Sequence, residues 1–104
     1  LQKMEEELKQ FRTTAGTPYQ LIPLPMAQAV YDDEQRLPAT YANFLILNDA
    51  VLMPTYASPL DEVAIRQMQK AFPHMEIVGI DCRALIKQHG SLHCVTMQLP
   101  EGYL

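Results

Sequence analysis

Two apolar runs that lie close together in the chain constrain its fold more than any other feature. The runs cover residues 41–47 and 50–54, and Asn48 and Asp49 separate them. Because Asn and Asp tolerate positive φ, this dipeptide predicts a two-residue turn of the primed type and therefore a β-hairpin. Both arms are apolar with little alternation, which is typical of strands buried on both faces. The runs favour helices packed over a sheet, an α/β fold.

A helix is predicted directly after the hairpin. Ser58 has the character of an N-cap, Pro59 suits the first helical position, and Asp61 can reach back to the cap. Pro73 ends the helix near residue 72. The apolar residues of this segment recur on one face: Leu60, Val63, Ala64, Met68, Ala71 and Phe72.

A strand and a short helix complete this part of the chain. Residues 75–80 predict a strand, Asp81 is expected to cap a short helix through about Gln88, and Gly90 is expected to terminate it. The resulting order is β-β-α-β. We therefore treat residues 41–104 as a ββαβ block within one segment, 1–104.

The region before the hairpin gives weaker signals. Residues 1–16 form a helical block, with an amphipathic helix predicted over about 1–14 because Leu1, Met4, Leu8 and Phe11 recur at helical spacing. Residues 17–40 contain a short predicted strand at 19–24, which its prolines assign to a sheet edge, and then an irregular stretch. The charged residues 32–36 are either a solvated loop or a loop that overhangs a pocket.

Composition excludes several classes of partner. The chain has 104 residues, 48% of them hydrophobic, so it is one domain or less. Its eight Lys and Arg are scattered and its net charge is −4, so no nucleic-acid partner is indicated. No apolar run is long enough to span a membrane and no signal-peptide pattern opens the chain, so we expect a cytoplasmic protein. Cys82 and Cys94 are expected to be free thiols, and they lack a zinc-binding spacing with the histidines, so no metal or other cofactor is predicted.

Cys94 is the residue with the clearest chemical potential. It lies between Gly90 and a strand-like run that ends at Pro100, where a thiol can be held rigidly and still face a cavity. The thiolate is the reactive form of cysteine and a strong nucleophile near neutral pH. A small buried hydrophobe is the ordinary alternative for a cysteine in such a run.

Several blocks of sequence together resemble one enzyme family. Residues 90–98 read Gly-Ser-Leu-His-Cys-Val-Thr-Met-Gln, residues 78–81 read Val-Gly-Ile-Asp, and residues 41–44 read Tyr-Ala-Asn-Phe, followed by Pro54 and Tyr56. From about residue 37 onward the chain resembles the C-terminal part of the agmatine deiminase and Porphyromonas-type (bacterial) peptidyl-arginine deiminase family. The resemblance implies a fivefold α/β propeller, the pentein fold, of which this chain is expected to be a C-terminal fragment.

The resemblance also implies a reaction and its residues. Cys94 matches the family's nucleophile, which attacks a guanidinium carbon and releases ammonia through a covalent intermediate. Gly90, Ser91 and Asn43 are expected to bind substrate or to lie beside the site. His93 is interpreted as a bracing or core histidine, because consecutive residues on a strand point to opposite faces.

The expected partners are a guanidine substrate and the remainder of the parent chain, with homo-oligomerisation left open. Agmatine would place the protein in polyamine metabolism and putrescine biosynthesis. However, residues 89–92 read His-Gly-Ser-Leu where many agmatine deiminases have glycines and Asn, so peptidyl or free arginine stays open. The family's His-x-Asp element and guanidinium-binding carboxylates lie upstream, so we expect the isolated chain to be inactive.

Two other functions were weighed. One is a non-catalytic propeller segment that serves as a binding scaffold, because a fold does not fix a function. The other is a papain-type hydrolase, which is disfavoured because the chain has no separate histidine and amide pair patterned for it.

Overall fold

The chain forms a small mixed sheet with one helix packed against it. The computed structural model describes residues 2–102, so Leu1, the first residue of the predicted amphipathic helix, lies outside the described residues, as do residues 103–104. In chain order the elements are α1 (Gln2–Lys9), β1 (Val30–Asp32), β2 (Gln35–Leu37), β3 (Leu45–Ile46), β4 (Ala50–Thr55), α2 (Leu60–Ala71), β5 (Glu76–Asp81) and two 3₁₀ turns, Leu85–Gln88 and His93–Val95.

The predicted β-β-α-β order is confirmed in the main sheet. β3 pairs antiparallel with β4, and β4 pairs parallel with β5, in the order β3-β4-β5. The Leu47 N–H donates to the Ala50 carbonyl at 2.8 Å and closes the predicted two-residue hairpin. Neither Asn48 nor Asp49 has a positive φ, so the predicted primed type of the turn is wrong. The first arm is much shorter than predicted, because the side chains of Tyr41 and Asn43 bond to other parts of the fold and residues 41–44 leave the sheet.

The start of α2 follows the predicted capping pattern. The Leu60 N–H donates to Ser58 Oγ at 3.1 Å, and the Ser58 N–H donates to Asp61 Oδ2 at 3.0 Å. These are the two reciprocal bonds of a capping box, except that the backbone donor to Ser58 is Leu60, one residue earlier than Asp61. Of the predicted apolar face only Ala64 and Met68 are fully buried, so the packed stripe is narrower than the sequence indicated.

The core lies between α2 and the sheet. Val51 and Met53 of β4, Ala64 of α2 and Ile86 of the first 3₁₀ turn are all 0% exposed. Burial of a side chain the size of Val51, Met53 or Ile86 stabilises a fold by about 1.5–3 kcal/mol. The ββαβ unit therefore contains most of the buried core, to which Leu37 of β2 also contributes.

The region after β5 differs from the prediction in its details. Asp81 does accept a hydrogen bond from the Arg83 N–H at 3.0 Å, but the helical turn begins only at Leu85 and is 3₁₀. Gly90 does not terminate it. His89 takes the left-handed conformation there, with φ 70°.

The first forty residues depart further from the prediction. α1 ends at Lys9 and has no buried residue, so the predicted helix over 1–14 is too long and its expected packing face is solvent-exposed in the described chain. Phe11, at 57% exposed, lies beyond the helix.

The predicted strand at 19–24 is absent from the described chain, which has only an isolated bridge between Arg12 and Pro18 in this region. Pro23 and Pro25 each lack a backbone donor, which disfavours strand pairing there. The stretch predicted as an irregular charged loop instead contains the β1–β2 hairpin, whose turn has Asp33 at φ 55°.

Candidate active site

Cys94 lies on a tight turn and faces solvent. The turn is the 3₁₀ segment His93–Val95, so the predicted strand around the cysteine is wrong. The thiol lines a shallow hollow whose wall is formed by Thr40, Ala42, Asn43, Phe44 and His93 together with Cys94 itself. The sulfur is therefore accessible rather than buried among aliphatic side chains.

Asn43 holds the Cys94 turn from the opposite side of the hollow. Its Nδ2 donates to Cys94 Sγ at 3.0 Å, although the two residues are 51 positions apart in the chain. Its Oδ1 accepts from the backbone N–H of His93 at 2.6 Å and of Cys94 at 3.3 Å. An amide is suited to this position, because it has both a donor for the sulfur and an acceptor for the backbone.

The two cysteines of the chain are in opposite electrostatic environments. The pKa of Cys94 is lowered from its usual value, mainly by the hydrogen bond from Asn43 and further by the backbone N–H of Ser91. The pKa of Cys82, which is 1% exposed, is raised by burial. Because the thiolate is the nucleophilic form, only Cys94 combines access with a stabilised thiolate.

Gly90 and Ser91 lie beside Cys94 in different ways. A Cβ on Gly90 would lie 3.1 Å from the Cys94 Cβ, so glycine allows the close approach of the chain at this point. The Ser91 side chain is 0% exposed and forms a 2.8 Å hydrogen bond with the Tyr56 hydroxyl. Ser91 is therefore not part of the lining of the hollow.

The two nearby histidines are not where the sequence placed them. His93 is exposed and lines the hollow with Cys94, so the expectation of a core histidine is wrong, because these residues follow a 3₁₀ turn rather than a strand. His89 directly precedes Gly90, a position from which it could line the same hollow, but it lies in a separate depression beside Arg36 and Thr40.

The sequence did not reveal a partly buried group of hydrogen-bonded side chains next to the hollow. Asp61 accepts from the Tyr41 hydroxyl at 2.6 Å and from the Tyr56 N–H at 3.2 Å, in addition to its bond with Ser58. The Tyr56 hydroxyl contacts both Thr40 and Ser91. The signal that could have found this group is the pair of tyrosines that flank the β4 hairpin, since a buried tyrosine hydroxyl needs a partner.

The lining of the hollow has no negatively charged side chain, which limits the chemistry that these residues can perform by themselves. None of the residues that line the hollow is a carboxylate, so the lining offers no ion-pair partner for a cation bound over Cys94. Within residues 2–102 no group of three or more His, Cys, Asp or Glu side chains could hold a metal ion. No helix in that range is long and apolar enough to cross a membrane.

Comparisons with known proteins identify relatives that share the sequence and the fold of this chain. The sequence profile of the Porphyromonas-type peptidyl-arginine deiminase family matches residues 1–100. A Porphyromonas gingivalis protein of known structure, provisionally identified as an arginine deiminase, is 65% identical with a TM-score of 0.87, over 97% of this chain and 30% of that chain. The agmatine deiminase of C. jejuni is 44% identical with a TM-score of 0.75, over 90% of this chain and 27% of its own.

A curated relative gives the same relationship at the sequence level. A protein of Marinomonas sp. (strain MWYL1), provisionally identified as an agmatine deiminase, is 43% identical over 67 residues, which are 64% of this chain and 18% of the relative. The chain thus has the mixed α/β fold of these proteins and spans about 30% of the solved chains it matches.

Proposed function

Because the chain belongs to the Porphyromonas-type peptidyl-arginine deiminase family, we propose that it is the nucleophile-bearing part of a guanidine deiminase. Cys94 is the proposed nucleophile, and the substrate is agmatine or an arginine side chain. The observation that carries the proposal is the exposed Cys94 thiol with a side-chain hydrogen bond at 3.0 Å and a lowered pKa.

The reaction has two covalent steps. In the first, the thiolate of Cys94 bonds to the guanidinium carbon, and the bond from that carbon to a terminal nitrogen breaks as the nitrogen takes up a proton and leaves as ammonia. In the second, water adds to the amidino-thioether carbon and gives up its protons, and the carbon–sulfur bond breaks. The product has a ureido group, and the thiolate is regenerated.

The environment of Cys94 suits the first step. The Asn43 amide donates to the sulfur at 3.0 Å, and donors of this kind favour the charged form of a thiol. The backbone N–H of Ser91 lowers the pKa of Cys94 further. The sulfur is open to the hollow, so a planar cation can approach it without displacement of the core. Cys82 has neither property, which makes it an internal comparison.

The other expected site residues take narrower roles in this proposal. Asn43 keeps the thiolate in place and lines the substrate hollow, Gly90 leaves room for the sulfur, and Ser91 contributes its backbone N–H. The substrate-binding role expected for the Ser91 side chain is dropped, because that side chain is fully buried.

The remaining catalytic groups are assigned to the rest of the parent protein. A guanidinium must be held by carboxylates and its leaving nitrogen must be protonated, and the residues lining the hollow include no carboxylate. We propose that further ββαβ units, arranged as a fivefold propeller, supply these groups. The same units would cover the exposed side chains of α1.

The test uses the full-length protein that contains this segment. Ammonia release is measured with agmatine, free arginine and an arginine-containing peptide, for the parent protein and for Cys94→Ser and Cys82→Ala. We expect release from at least one of the three substrates and a loss of several orders of magnitude in kcat for Cys94→Ser, because the nucleophile is removed. Cys82→Ala is the matched control and is expected to retain activity, since its thiol is buried away from the hollow.

Two results would contradict the proposal. One is full activity in Cys94→Ser. The other is silence of the folded parent protein on all three substrates, which would favour the non-catalytic scaffold.

A further inference from the structure

The site depends on two loops that are far apart in sequence. Asn43 belongs to the loop before β3, and Cys94 belongs to the last 3₁₀ turn. Resting on the proposed function, we infer that Tyr56 is a positioning residue, which holds these two loops together so that the Asn43 amide reaches the Cys94 sulfur.

Tyr56 contacts both loops through one oxygen atom. Its hydroxyl accepts from the Thr40 N–H at 3.1 Å and donates to the Thr40 carbonyl at 2.9 Å. The same oxygen lies 2.8 Å from Ser91 Oγ. Because the single phenol proton points to the Thr40 carbonyl, the Ser91 hydroxyl is the donor in the third bond.

The contacted residues have equivalent places in the two loops. Thr40 lies three residues before Asn43, and Ser91 lies three residues before Cys94. The backbone N–H of Ser91 also helps to lower the pKa of the Cys94 thiol. The Tyr56 hydroxyl therefore bonds directly to the backbone of the loop that carries Asn43. It reaches the loop that carries Cys94 through the side chain of Ser91.

The tyrosine itself is anchored independently of these bonds. Its backbone N–H donates to Asp61 at 3.2 Å, and its ring packs at a tilt of 55° on the ring of Tyr41, with 5.6 Å between centroids. The residue is 6% exposed, and burial raises the pKa of its hydroxyl, so the group is a neutral donor and acceptor. Removal of the oxygen alone should leave the ring in place and release the loops.

An ordinary core tyrosine is the competing explanation, and the chain offers a matched control for it. Tyr41 is also buried, packs on the same ring and makes one hydroxyl bond, but to Asp61 and to neither loop backbone. Tyr41→Phe and Tyr56→Phe remove the same atom from adjacent rings. Both substitutions remove a bond made by the loop that carries Asn43, but only Tyr56→Phe also removes the contact with Ser91 in the loop that carries Cys94.

The experiment follows the alkylation of Cys94 by iodoacetamide in the full-length protein, as a function of pH, by peptide mass spectrometry. This readout needs no guanidine substrate, so it tests Tyr56 even if the protein fails to deiminate. We expect the alkylation profile of Tyr56→Phe to move to higher pH and the profile of Tyr41→Phe to stay with the parent. With an active substrate, kcat should fall by about tenfold in Tyr56→Phe, with KM within twofold, because misplacement of a nucleophile acts on the chemical step.

A second variant provides an independent test if Tyr56→Phe fails to fold. Ser91→Ala removes the Tyr56 bond from the other end, and its profile should move in the same direction. A folded Tyr56→Phe or Ser91→Ala protein whose alkylation profile matches that of Tyr41→Phe would overturn the inference. A shifted profile in a protein that releases no ammonia would support it while contradicting the proposed deiminase function.

Discussion

Asp61→Ala is the substitution whose cost the structure defines most fully. The Asp61 carboxylate accepts from the Tyr41 hydroxyl at 2.6 Å, from the Tyr56 N–H at 3.2 Å and from the Ser58 N–H at 3.0 Å. It thereby connects the start of α2, the end of β4 and the loop that leads to Asn43. An alanine makes none of these bonds.

The magnitude follows from what each donor loses. Tyr41 is 1% exposed, and a buried donor left without a partner costs about 1–3 kcal/mol. Loss of the side-chain contribution to the helix cap adds about 1 kcal/mol. We expect Asp61→Ala to lower the free energy of unfolding by about 3 kcal/mol, which is roughly a hundredfold in the folding equilibrium. Asp61→Asn keeps an acceptor oxygen and should lose about half as much.

Urea unfolding of the full-length protein measures this difference. The midpoint should fall in Asp61→Ala while the m-value stays constant, as expected when stability changes and compactness does not. Glu62→Ala is the control, because Glu62 is the neighbouring acidic residue of the same helical turn and is exposed; it should lose no more than about 1 kcal/mol. Equal losses in the two variants would refute the reasoning.

Three further outcomes follow from the same contacts. Gly90→Ala should slow alkylation of Cys94 severalfold with little change in unfolding midpoint, because the new Cβ would lie 3.1 Å from the Cys94 Cβ; an unchanged rate would contradict this. In the native protein iodoacetamide should modify Cys94 and leave Cys82 unmodified until urea unfolds it, as mass mapping will show, and early modification of Cys82 would contradict its burial. Burial raises the pKa values of Tyr41 and Tyr56 above the ordinary 10.0 of tyrosine, and that of Cys82 above the ordinary 9.0 of cysteine. The stability that these neutral groups contribute is fully present below the ordinary values. It is lost as the pH rises through the raised pKa values. Unfolding free energies measured from pH 8 to 11 should therefore decline, and a flat profile would be inconsistent with these shifts.

The parts of the fold that the sequence predicted well are those set by neighbouring residues. The capping pattern of Ser58 and Asp61 predicted the start of α2, and Asn48 and Asp49 predicted the position, though not the type, of the turn between β3 and β4. Each signal acts over a few residues, so it does not depend on the rest of the fold.

The errors occurred where distant residues decide the local conformation. The segment around Cys94 has strand-like composition, yet its backbone is fixed in a 3₁₀ turn by bonds to Asn43, which lies 51 residues away from Cys94. The β1–β2 hairpin was missed because its strands have only three residues each, too few to show a period. For the site, the resemblance picked out Cys94 and Asn43, but the buried contacts of Tyr56 and Ser91 depend on tertiary packing that no spacing predicts.

The most direct test of the account is to catch the covalent intermediate on Cys94. The full-length protein is mixed with the substrate that gives ammonia, the reaction is stopped with acid within milliseconds to seconds, and the digested peptides are weighed. The account predicts that the peptide containing Cys94 gains the mass of the substrate less one ammonia and that the Cys82 peptide gains nothing. The role of Cys94 as the nucleophile is contradicted if the substrate turns over at a rate that requires the adduct to accumulate, yet the Cys94 peptide is unmodified or the adduct is on another residue.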